Sequence, residues 1–205
     1  MNEKLQSIYL VRHGETAWSL TGQHTGLTDL PLTKRGETRA IWLRDRLAGS
    51  SFAKVFRSPL QRATRTCELA GFGAVAEADT NLVEWNYGDY EGLRSVEILA
   101  RRPDWQLFCD GCPGGESPAQ VAARADSVLQ RARAANGDVL LFSSGHFLRV
   151  LTARWLALEA AAGRFFALDP ASVSVLGYES AVTRPVVQAW NDTRHLAEEV
   201  KGGNS

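Results

Sequence analysis

Short apolar runs alternate along the chain with longer stretches in which apolar residues recur at helical spacing. The first run, residues 8–11, is followed at once by Arg12, His13 and Gly14. This order predicts a buried strand that leads into a loop, with a glycine free to take an unusual backbone angle. Later runs predict strands at 53–56, 74–76 and 139–142 and a mostly β tail at 164–168, 173–178 and 185–190.

Helices are predicted between these strands. Thr33 suits an N-cap, and the apolar stripe behind it, from Ala40 to Leu47, predicts a helix closed by Gly49. Pro59 lies near the expected start of the next helix, which places Arg62 in the first turn. Further helices are predicted at 93–101, at 117–135 and at 147–158. Strands that alternate with helices in this way predict an α/β domain.

Length and charge narrow the class of protein. The 205 residues suit one domain with a sizeable core, so we expect a single domain over 1–205. Lys plus Arg and Asp plus Glu both number 23, and the lack of a basic excess argues against a nucleic-acid partner. No run approaches the ~20 apolar residues that cross a membrane, and the first residues do not resemble a secretory signal. We therefore expect a soluble cytoplasmic protein with no membrane partner.

Three cysteines are too few for a disulfide framework, and an odd number cannot all pair within the chain. Cys109 and Cys112 have C-x-x-C spacing, but no second pair or nearby histidine cluster accompanies them. Free thiols are the expectation, and zinc binding is disfavoured. We expect no metal and no cofactor.

Chemistry-bearing residues follow two of the predicted strands. Ligands of open α/β sheets bind at the carboxyl ends of strands, where Arg12 and His13 are expected to lie. A guanidinium offers paired donors to phosphate oxygens, and a neutral imidazole can act as nucleophile, base or metal ligand. An Arg-His pair at a strand end is also often structural. His146, after the strand at 139–142, is expected to be a second strand-end histidine facing the same ligand.

Four motifs together resemble the histidine phosphatase superfamily, in its phosphoglycerate mutase-like branch. They are LVRHGET at 10–16, SPLQRATRT at 58–66, EWNYGDYEG at 84–92 and SGH at 144–146. The resemblance covers roughly residues 5–195. The stretches at 22–33, 84–92 and 105–117 look most like sedoheptulose-1,7-bisphosphatase-type phosphatases. The resemblance implies a three-layer α/β/α fold with a mostly parallel central sheet.

The resemblance also implies site residues. His13 would be the nucleophile and Glu84 the general acid, with Arg12, Arg62 and protonated His146 neutralising the phosphate charge. Glu84 is followed by aromatic residues whose shielding from water suits a carboxyl that carries a proton near neutral pH. The implied substrate contacts are Ser19, Gln23, Thr25, Gly26, Tyr87 and Gly145. Many relatives have Asn where Ser19 stands, and a solvated turn residue is the alternative for each loop position.

The segment at about 93–117 is expected to cover the pocket. It carries Trp105 and Phe108 between flexible glycines. Candidate contacts for the distal part of a substrate are Arg94, Arg101 and Arg102, although exposed helix arginines are the more common case. Arg57 either extends the cationic rim or is solvated. Phosphoglycerate mutases usually carry a longer basic insertion here, so the short segment argues against mutase activity.

The predicted function is hydrolysis of a small phosphomonoester, a sugar phosphate or sugar bisphosphate, without metal. His13 attacks phosphorus while its other ring nitrogen donates to a backbone carbonyl, and Glu84 protonates the leaving alkoxide and then activates water. A mutase that returns the phosphoryl group to bound phosphoglycerate is one alternative. A non-catalytic binding module that retains the fold is another. A homo-oligomer is compatible with the sequence, and His195 is interpreted as structural.

Overall fold

A mixed β-sheet lies at the centre of the computed structural model, which describes residues 5–180 and 184–196. In that part of the chain the strands are β1 (Ile8–Arg12), β2 (Lys54–Arg57), β3 (Glu77–Ala78), β4 (Val139–Ser143), β5 (Val173–Tyr178) and β6 (Pro185–Asp192). The sheet order is β3-β2-β4-β1-β5-β6. The first four of these strands are parallel, and β5 is antiparallel to both β1 and β6. Only β5 runs against the others, so the sheet is mostly parallel, as predicted.

Helices cover both faces of the sheet. Within the described residues they are α1 (Ala17–Thr21), α2 (Lys34–Leu47), α3 (Gln61–Leu69), α4 (Ser95–Leu99), α5 (Leu107–Asp110), α6 (Pro118–Arg133) and α7 (Gly145–Trp155). Side chains of α2 and α3 pack on one face with Val11 and Phe142. Side chains of α6 and α7 pack on the other face with Leu10 and Leu141. Alternate residues of β1 and β4 therefore enter separate cores, which gives the expected three-layer α/β/α fold.

The helix starts follow local chemistry. Thr33 accepts a hydrogen bond from the Gly36 amide and caps α2, as predicted, and Ser117 caps α6 through the Gln120 amide. The start of α3 differs from the prediction, because Pro59 precedes the cap residue Leu60 and lies outside the first turn. Arg62 nevertheless lies in that turn. Asp29 accepts from the Gln61 amide and fixes the preceding loop to α3.

Several predicted elements are wrong. The strand expected at 164–168 is replaced by a 3-10 helix, Ala160–Phe165, whose buried residues pack beneath α7. The strand expected at 74–76 lies instead at 77–78, because only those residues pair with β2. The short helix α1 lies in the segment after β1, where no helix was predicted. Apolar composition alone could not distinguish these alternatives, because pairing partners and packing partners decide them.

Two glycines hold the loop after β1 against the start of α2. A Cβ on Gly14 would lie 2.6 Å from the Gly36 carbonyl oxygen, and one on Gly36 would lie 2.2 Å from the Glu15 carbonyl oxygen. Gly14 is not among the residues of positive φ, so the unusual backbone angle expected there is wrong. Close approach of two backbones, rather than a special conformation, requires glycine at 14.

None of the helices that the structure describes is both long enough and apolar enough to cross a membrane.

Candidate active site

A cavity of about 270 Å³ lies beyond the carboxyl ends of β1 and β4. This is the edge of the sheet where open α/β folds bind ligands. Its wall is mostly polar and is formed by Arg12, His13, Ser19, Gly22, Gln23, His24, Thr25, Glu84, Tyr87, Ser95, Gly145, His146, Arg149 and Leu168. The wall therefore contains residues from three of the four sequence motifs. The fourth motif, at 58–66, contributes none, and its Arg62 is fully buried.

His13 is the first residue after β1 and is buried. Its Nδ1 lies 2.7 Å from the carbonyl oxygen of Gly14. A carbonyl oxygen only accepts, so Nδ1 carries the proton and Nε2 keeps its lone pair. Burial lowers the pKa of His13 well below its ordinary value, and the positive charges of Arg62 and Arg12 lower that pKa further. His13 is thus a neutral imidazole at neutral pH.

Arg12 and Arg62 place two guanidinium groups beside His13. Arg12 donates through Nη1 to the carbonyl oxygen of Leu168. Arg62 is fully buried and donates to the carbonyl oxygens of Thr28 at 2.9 Å and Gly26 at 2.8 Å. The Nε atoms of both arginines are buried and have no hydrogen-bond partner among the described residues. Two unused cationic donors next to a cavity indicate an anionic ligand.

Glu84 binds the beginning of α7 through its carboxylate. Its Oε1 accepts from the Phe147 amide at 2.7 Å and the Trp85 amide at 2.9 Å, and its Oε2 accepts from the His146 amide at 2.9 Å. A negative charge is favoured at a helix N-terminus, where the amides are otherwise unpaired. Oε2 receives one hydrogen bond and Oε1 receives two. Because Glu84 lines the cavity, Oε2 is the oxygen left to exchange a proton there.

His146 lies in the first turn of α7, three residues beyond the end of β4. It lines the same cavity as His13, as expected, but from inside the helix rather than from the loop before it. The His146 Nδ1 lies 2.5 Å from the Tyr87 hydroxyl. Burial lowers the pKa of His146 well below its ordinary value and raises the pKa of Tyr87 well above its own. A protonated phenol donating to Nδ1 of a neutral imidazole satisfies both, so His146 is not the imidazolium that was expected.

The loop residues implied as substrate contacts divide into two groups. Ser19, Gln23 and Thr25 lie on the cavity wall, but each also has a partner in the protein. Ser19 Oγ accepts from the Thr16 amide, and Gln23 Nε2 donates to the Gly92 carbonyl oxygen. Gly26 is not on the wall. A Cβ on Gly26 would lie 2.5 Å from the Trp85 carbonyl oxygen, so this glycine serves backbone packing.

Gly145, the first residue of α7, lies on the wall. A Cβ at this position would approach the guanidinium carbon of Arg12 to 3.2 Å. A side chain here would therefore press on Arg12, and glycine leaves the guanidinium in place.

The sequence prediction missed five residues of the wall, which are Gly22, His24, Ser95, Arg149 and Leu168. His24 donates from Nδ1 to the Leu93 carbonyl oxygen, and its ring centre lies 5.9 Å from that of His146. Arg149 is held by the carbonyl oxygens of Gly163 and Arg164. Its position three residues after His146 on one helix face was a usable signal. The signal for His24 was its place between Gln23 and Thr25.

The arginines proposed as distal contacts do not line the cavity. Arg94 pairs with Glu97 at 3.1 Å, Arg102 pairs with Asp110 at 3.3 Å, and Arg101 is exposed. Arg57 donates to Thr64 at 2.7 Å. These four arginines are therefore surface or structural residues, which was the alternative to a role in contacting substrate.

The segment at 93–117 packs directly beside the cavity. The Phe108 ring centre lies 5.4 Å from that of His146, and the Trp105 ring centre lies 5.7 Å from that of His24. The glycines that were expected to be flexible are tightly packed, because a Cβ on Gly115 would lie 2.2 Å from the Asn86 carbonyl oxygen. Phe108 and Trp105 thus shield the two histidines from water.

No group of three or more His, Cys, Asp or Glu residues in the described ranges has the geometry to hold a metal ion. Cys67, Cys109 and Cys112 are free thiols, and burial raises the pKa of Cys112 to about 12.

Comparison with known proteins gives consistent results. The family model described as histidine phosphatase superfamily (branch 1) matches residues 8–193. The chain is 41% identical to an acid phosphatase of Mycobacterium tuberculosis, over 91% of this chain and 94% of that one. It is 33% identical to sedoheptulose 1,7-bisphosphatase of Saccharomyces cerevisiae, over 73% of this chain and 67% of the relative.

A further relative, at 30% identity over 93% of this chain and 95% of its own length, is named "Probable phosphoglycerate mutase GpmB" of Erwinia tasmaniensis. Among solved structures, that of the open reading frame Rv3214 of Mycobacterium tuberculosis superimposes with a TM-score of 0.87 and 40% identity. That alignment covers 92% of this chain and 98% of the other.

Proposed function

The chain belongs to branch 1 of the histidine phosphatase superfamily and is a phosphoric monoester hydrolase, and we propose that it works through a phosphohistidine on His13 without a metal. The observation that carries this proposal is the hydrogen bond from His13 Nδ1 to the Gly14 carbonyl oxygen. It fixes the tautomer in which Nε2 is the nucleophile, beside two arginines with unused donors.

In the first step, the Nε2 lone pair of His13 attacks phosphorus in line with the leaving oxygen. The bond from phosphorus to the ester oxygen breaks, and that oxygen takes the proton from Oε2 of Glu84. Arg12 and Arg62 stabilise the charge on the equatorial oxygens of the phosphoryl group, where charge spreads in the transition state. A neutral nucleophile avoids repulsion from a dianionic ester, and the low pKa of His13 keeps the imidazole neutral.

In the second step, Glu84 is a carboxylate and accepts a proton from water. The water oxygen attacks phosphorus as the bond to Nε2 breaks, and inorganic phosphate leaves with His13 restored. The amides of His146 and Phe147 hold the carboxylate in one position through both steps. One residue that acts first as acid and then as base closes the cycle with no net proton change.

The substrate class is a sugar phosphate or sugar bisphosphate. The name of the yeast relative, sedoheptulose 1,7-bisphosphatase, supports this class. The polar wall of the cavity also supports it, because the hydroxyls of Ser19, Thr25 and Ser95 and the amide of Gln23 suit a hydroxylated ligand. Neutral His146 adds one donor, since a proton on Nε2 follows from the Tyr87 hydrogen bond to Nδ1.

Mutase activity is the second candidate, because one relative carries a mutase name. A mutase must hold its acidic substrate while the phosphoryl group is on the enzyme. The three arginines of the 93–117 segment do not line the cavity, and Arg94 and Arg102 are paired with carboxylates of their own. This arrangement favours water as the phosphoryl acceptor.

The test compares wild type with His13→Ala in EDTA, on sugar phosphates, sugar bisphosphates and 3-phosphoglycerate. We expect phosphate release from at least one sugar ester, and a loss of at least about a thousandfold in His13→Ala. His195→Asn is the matched control, because His195 lies outside the cavity and bonds to the Ala171 carbonyl oxygen. It should retain activity.

Formation of 2-phosphoglycerate from 3-phosphoglycerate without phosphate release would favour the mutase. Equal activity in wild type and His13→Ala would overturn the phosphohistidine mechanism. A wild-type protein that binds phosphate but converts no ester would support a non-catalytic binding module.

A further inference from the structure

Ser144 occupies the strand-end position next to His13. Arg12 of β1 is opposite Ser143 of β4 in the parallel pairing, and the His13 amide donates to the Ser143 carbonyl oxygen at 2.9 Å. The next pair in this register is therefore His13 and Ser144. Both lie at the carboxyl edge of the sheet, where His13 and Gly145, the neighbour of Ser144, line the cavity.

The side chains of these two residues lie on the same face of the sheet. The backbone of Ser144 is extended, with φ −118° and ψ 166°, so the alternation of β4 continues through it. Leu140 and Phe142 of β4 enter the core that packs against α2 and α3. Ser144 follows them on that face, which is also the face of Arg62.

The hydroxyl of Ser144 is buried and unused. Ser144 is 1% exposed, and its Oγ has no hydrogen-bond partner among the described residues. Its neighbour Ser143 differs, because the Ser143 Oγ donates to the Leu82 carbonyl oxygen at 2.6 Å. A buried hydroxyl without a partner costs stability, and native proteins rarely keep one without a ligand or water to satisfy it.

Glu84 explains why the hydroxyl is unused. Ser144 is the N-cap residue of α7, and an N-cap serine normally accepts from the amides of the first turn. Here it makes no capping hydrogen bond, because the carboxylate of Glu84 already accepts from the His146 and Phe147 amides. Ser144 is thereby free to bind something else.

Two other buried donors have no partner among the described residues, the Nε atoms of Arg12 and Arg62. A Cβ on Gly145, which follows Ser144 directly, would lie 3.2 Å from Nε of Arg12. One hydroxyl and two guanidinium N–H groups suit the three equatorial oxygens of a phosphoryl group.

We infer that the hydroxyl of Ser144 is a further phosphoryl-binding group, donating to an oxygen of the phosphate that His13 attacks. The inference rests on the proposed function for its ligand and adds a contact that the motifs do not predict.

The experiment measures inhibition by inorganic phosphate, turnover of a sugar phosphate and the thermal unfolding midpoint in wild type, Ser144→Ala and Ser172→Ala. Ser172 is the matched control, because it is a buried serine before β5 whose Oγ is also unpartnered. By strand alternation it lies on the opposite face of the sheet from Ser144.

We expect Ser144→Ala to weaken phosphate inhibition and to lower kcat/KM about tenfold, because the lost hydrogen bond involves a charged ligand. Without phosphate, the unfolding midpoint should be equal to or above that of wild type, since the variant removes an unpaired hydroxyl. With phosphate, its stabilisation by the ligand should be smaller than in wild type. Ser172→Ala should match wild type in phosphate inhibition and turnover.

Unchanged phosphate inhibition and turnover in Ser144→Ala would overturn the inference and would indicate that the hydroxyl binds only a buried water. Equal losses in Ser172→Ala, or a clear drop in the phosphate-free midpoint of Ser144→Ala, would also overturn it by showing a structural role. If wild type hydrolyses nothing, the proposed function fails, and the stabilisation by phosphate alone decides the inference. If phosphate neither inhibits nor stabilises wild type, both fail.

Discussion

At the residue scale, Glu84 combines two roles in one carboxylate. It accepts from three backbone amides, two of them in the first turn of α7, and it lines the cavity. The same hydrogen bonds that fix the helix therefore also aim the proposed acid. Glutamine at this position keeps one accepting oxygen, loses one of the hydrogen bonds to α7 and has no proton to release. A comparison of two leaving groups therefore distinguishes the two roles.

Glu84→Gln should lower kcat/KM for a sugar phosphate by about a hundredfold or more, as expected for the loss of a general acid. The loss should be much smaller for an aryl phosphate, because a phenolate of low pKa leaves without a proton. The comparison of kcat/KM between the two esters checks this, with thermal unfolding as the control for folding. An equal loss on both esters would indicate that Glu84 acts on α7 rather than on the leaving group.

His13 sets the expected pH dependence of the free enzyme. Its pKa lies well below the ordinary 6.5 because of burial and the charges of Arg62 and Arg12. Protonation removes the nucleophilic lone pair, so kcat/KM should decrease only as pH falls through this lowered pKa. After correction for ionisation of the substrate, we expect the acid limb below pH 6.5. A limb at or above 6.5 would contradict the buried, charge-flanked imidazole.

At the scale of elements, the loop after β1 and the start of α2 are held together by two glycines in contact. Helix propensity alone predicts that Gly36→Ala stabilises the protein by about 1 kcal/mol, because Gly36 lies inside α2. The structure predicts the opposite, since the new Cβ would lie 2.2 Å from the Glu15 carbonyl oxygen and 2.8 Å from the Glu15 amide. Backbone atoms cannot move aside as a flexible side chain can.

Gly36→Ala should therefore lower the free energy of unfolding by about 2 kcal/mol or more, within the range of overpacked sites. Activity should decrease as well, because the displaced loop carries His13. Gly49→Asn is the control: Gly49 has φ +79° with no atom within 4 Å of a Cβ, and asparagine tolerates this conformation. Denaturant unfolding of both variants measures the difference. A neutral Gly36→Ala would show that the two backbones separate easily.

At the scale of the whole molecule, the four histidines share one property. Burial lowers the pKa of His13, His24, His146 and His195 below 6.5, and it is the largest cause in each case. The unfolded chain therefore binds protons at a higher pH than the folded chain does. Below pH 6.5 protonation favours the unfolded state, and stability decreases as pH falls.

Between pH 7.5 and pH 5, the unfolding midpoint of the ligand-free protein should fall by about 3 °C or more. Calorimetry across this range at constant ionic strength measures the change. His195→Asn removes one of the four groups and should reduce the slope without changing its sign. A midpoint that is constant or rises toward pH 5 would show that the histidines are not held neutral by burial.

The sequence predicted correctly those elements of the fold that depend on local signals. The strand before Arg12, the cap at Thr33 and the start of the helix near Ser117 depend on neighbouring residues, and the structure has them as predicted. The strand predicted at 164–168 was wrong because a short apolar run fits a strand or a buried turn equally well. Packing beneath α7 decided that case.

The sequence by itself determined the order of strands and helices and placed Arg12, His13, Glu84 and His146 in motifs that share one cavity. The proton on Nδ1 of His13 is set locally, by the carbonyl oxygen of the adjacent Gly14. Only the tertiary structure decided that Glu84, rather than Ser144, caps α7. It also brought His24 and Arg149 to the wall. Spacing along the chain encodes periodicity and local caps, whereas hydrogen bonds between residues 60 or more positions apart depend on how the layers pack.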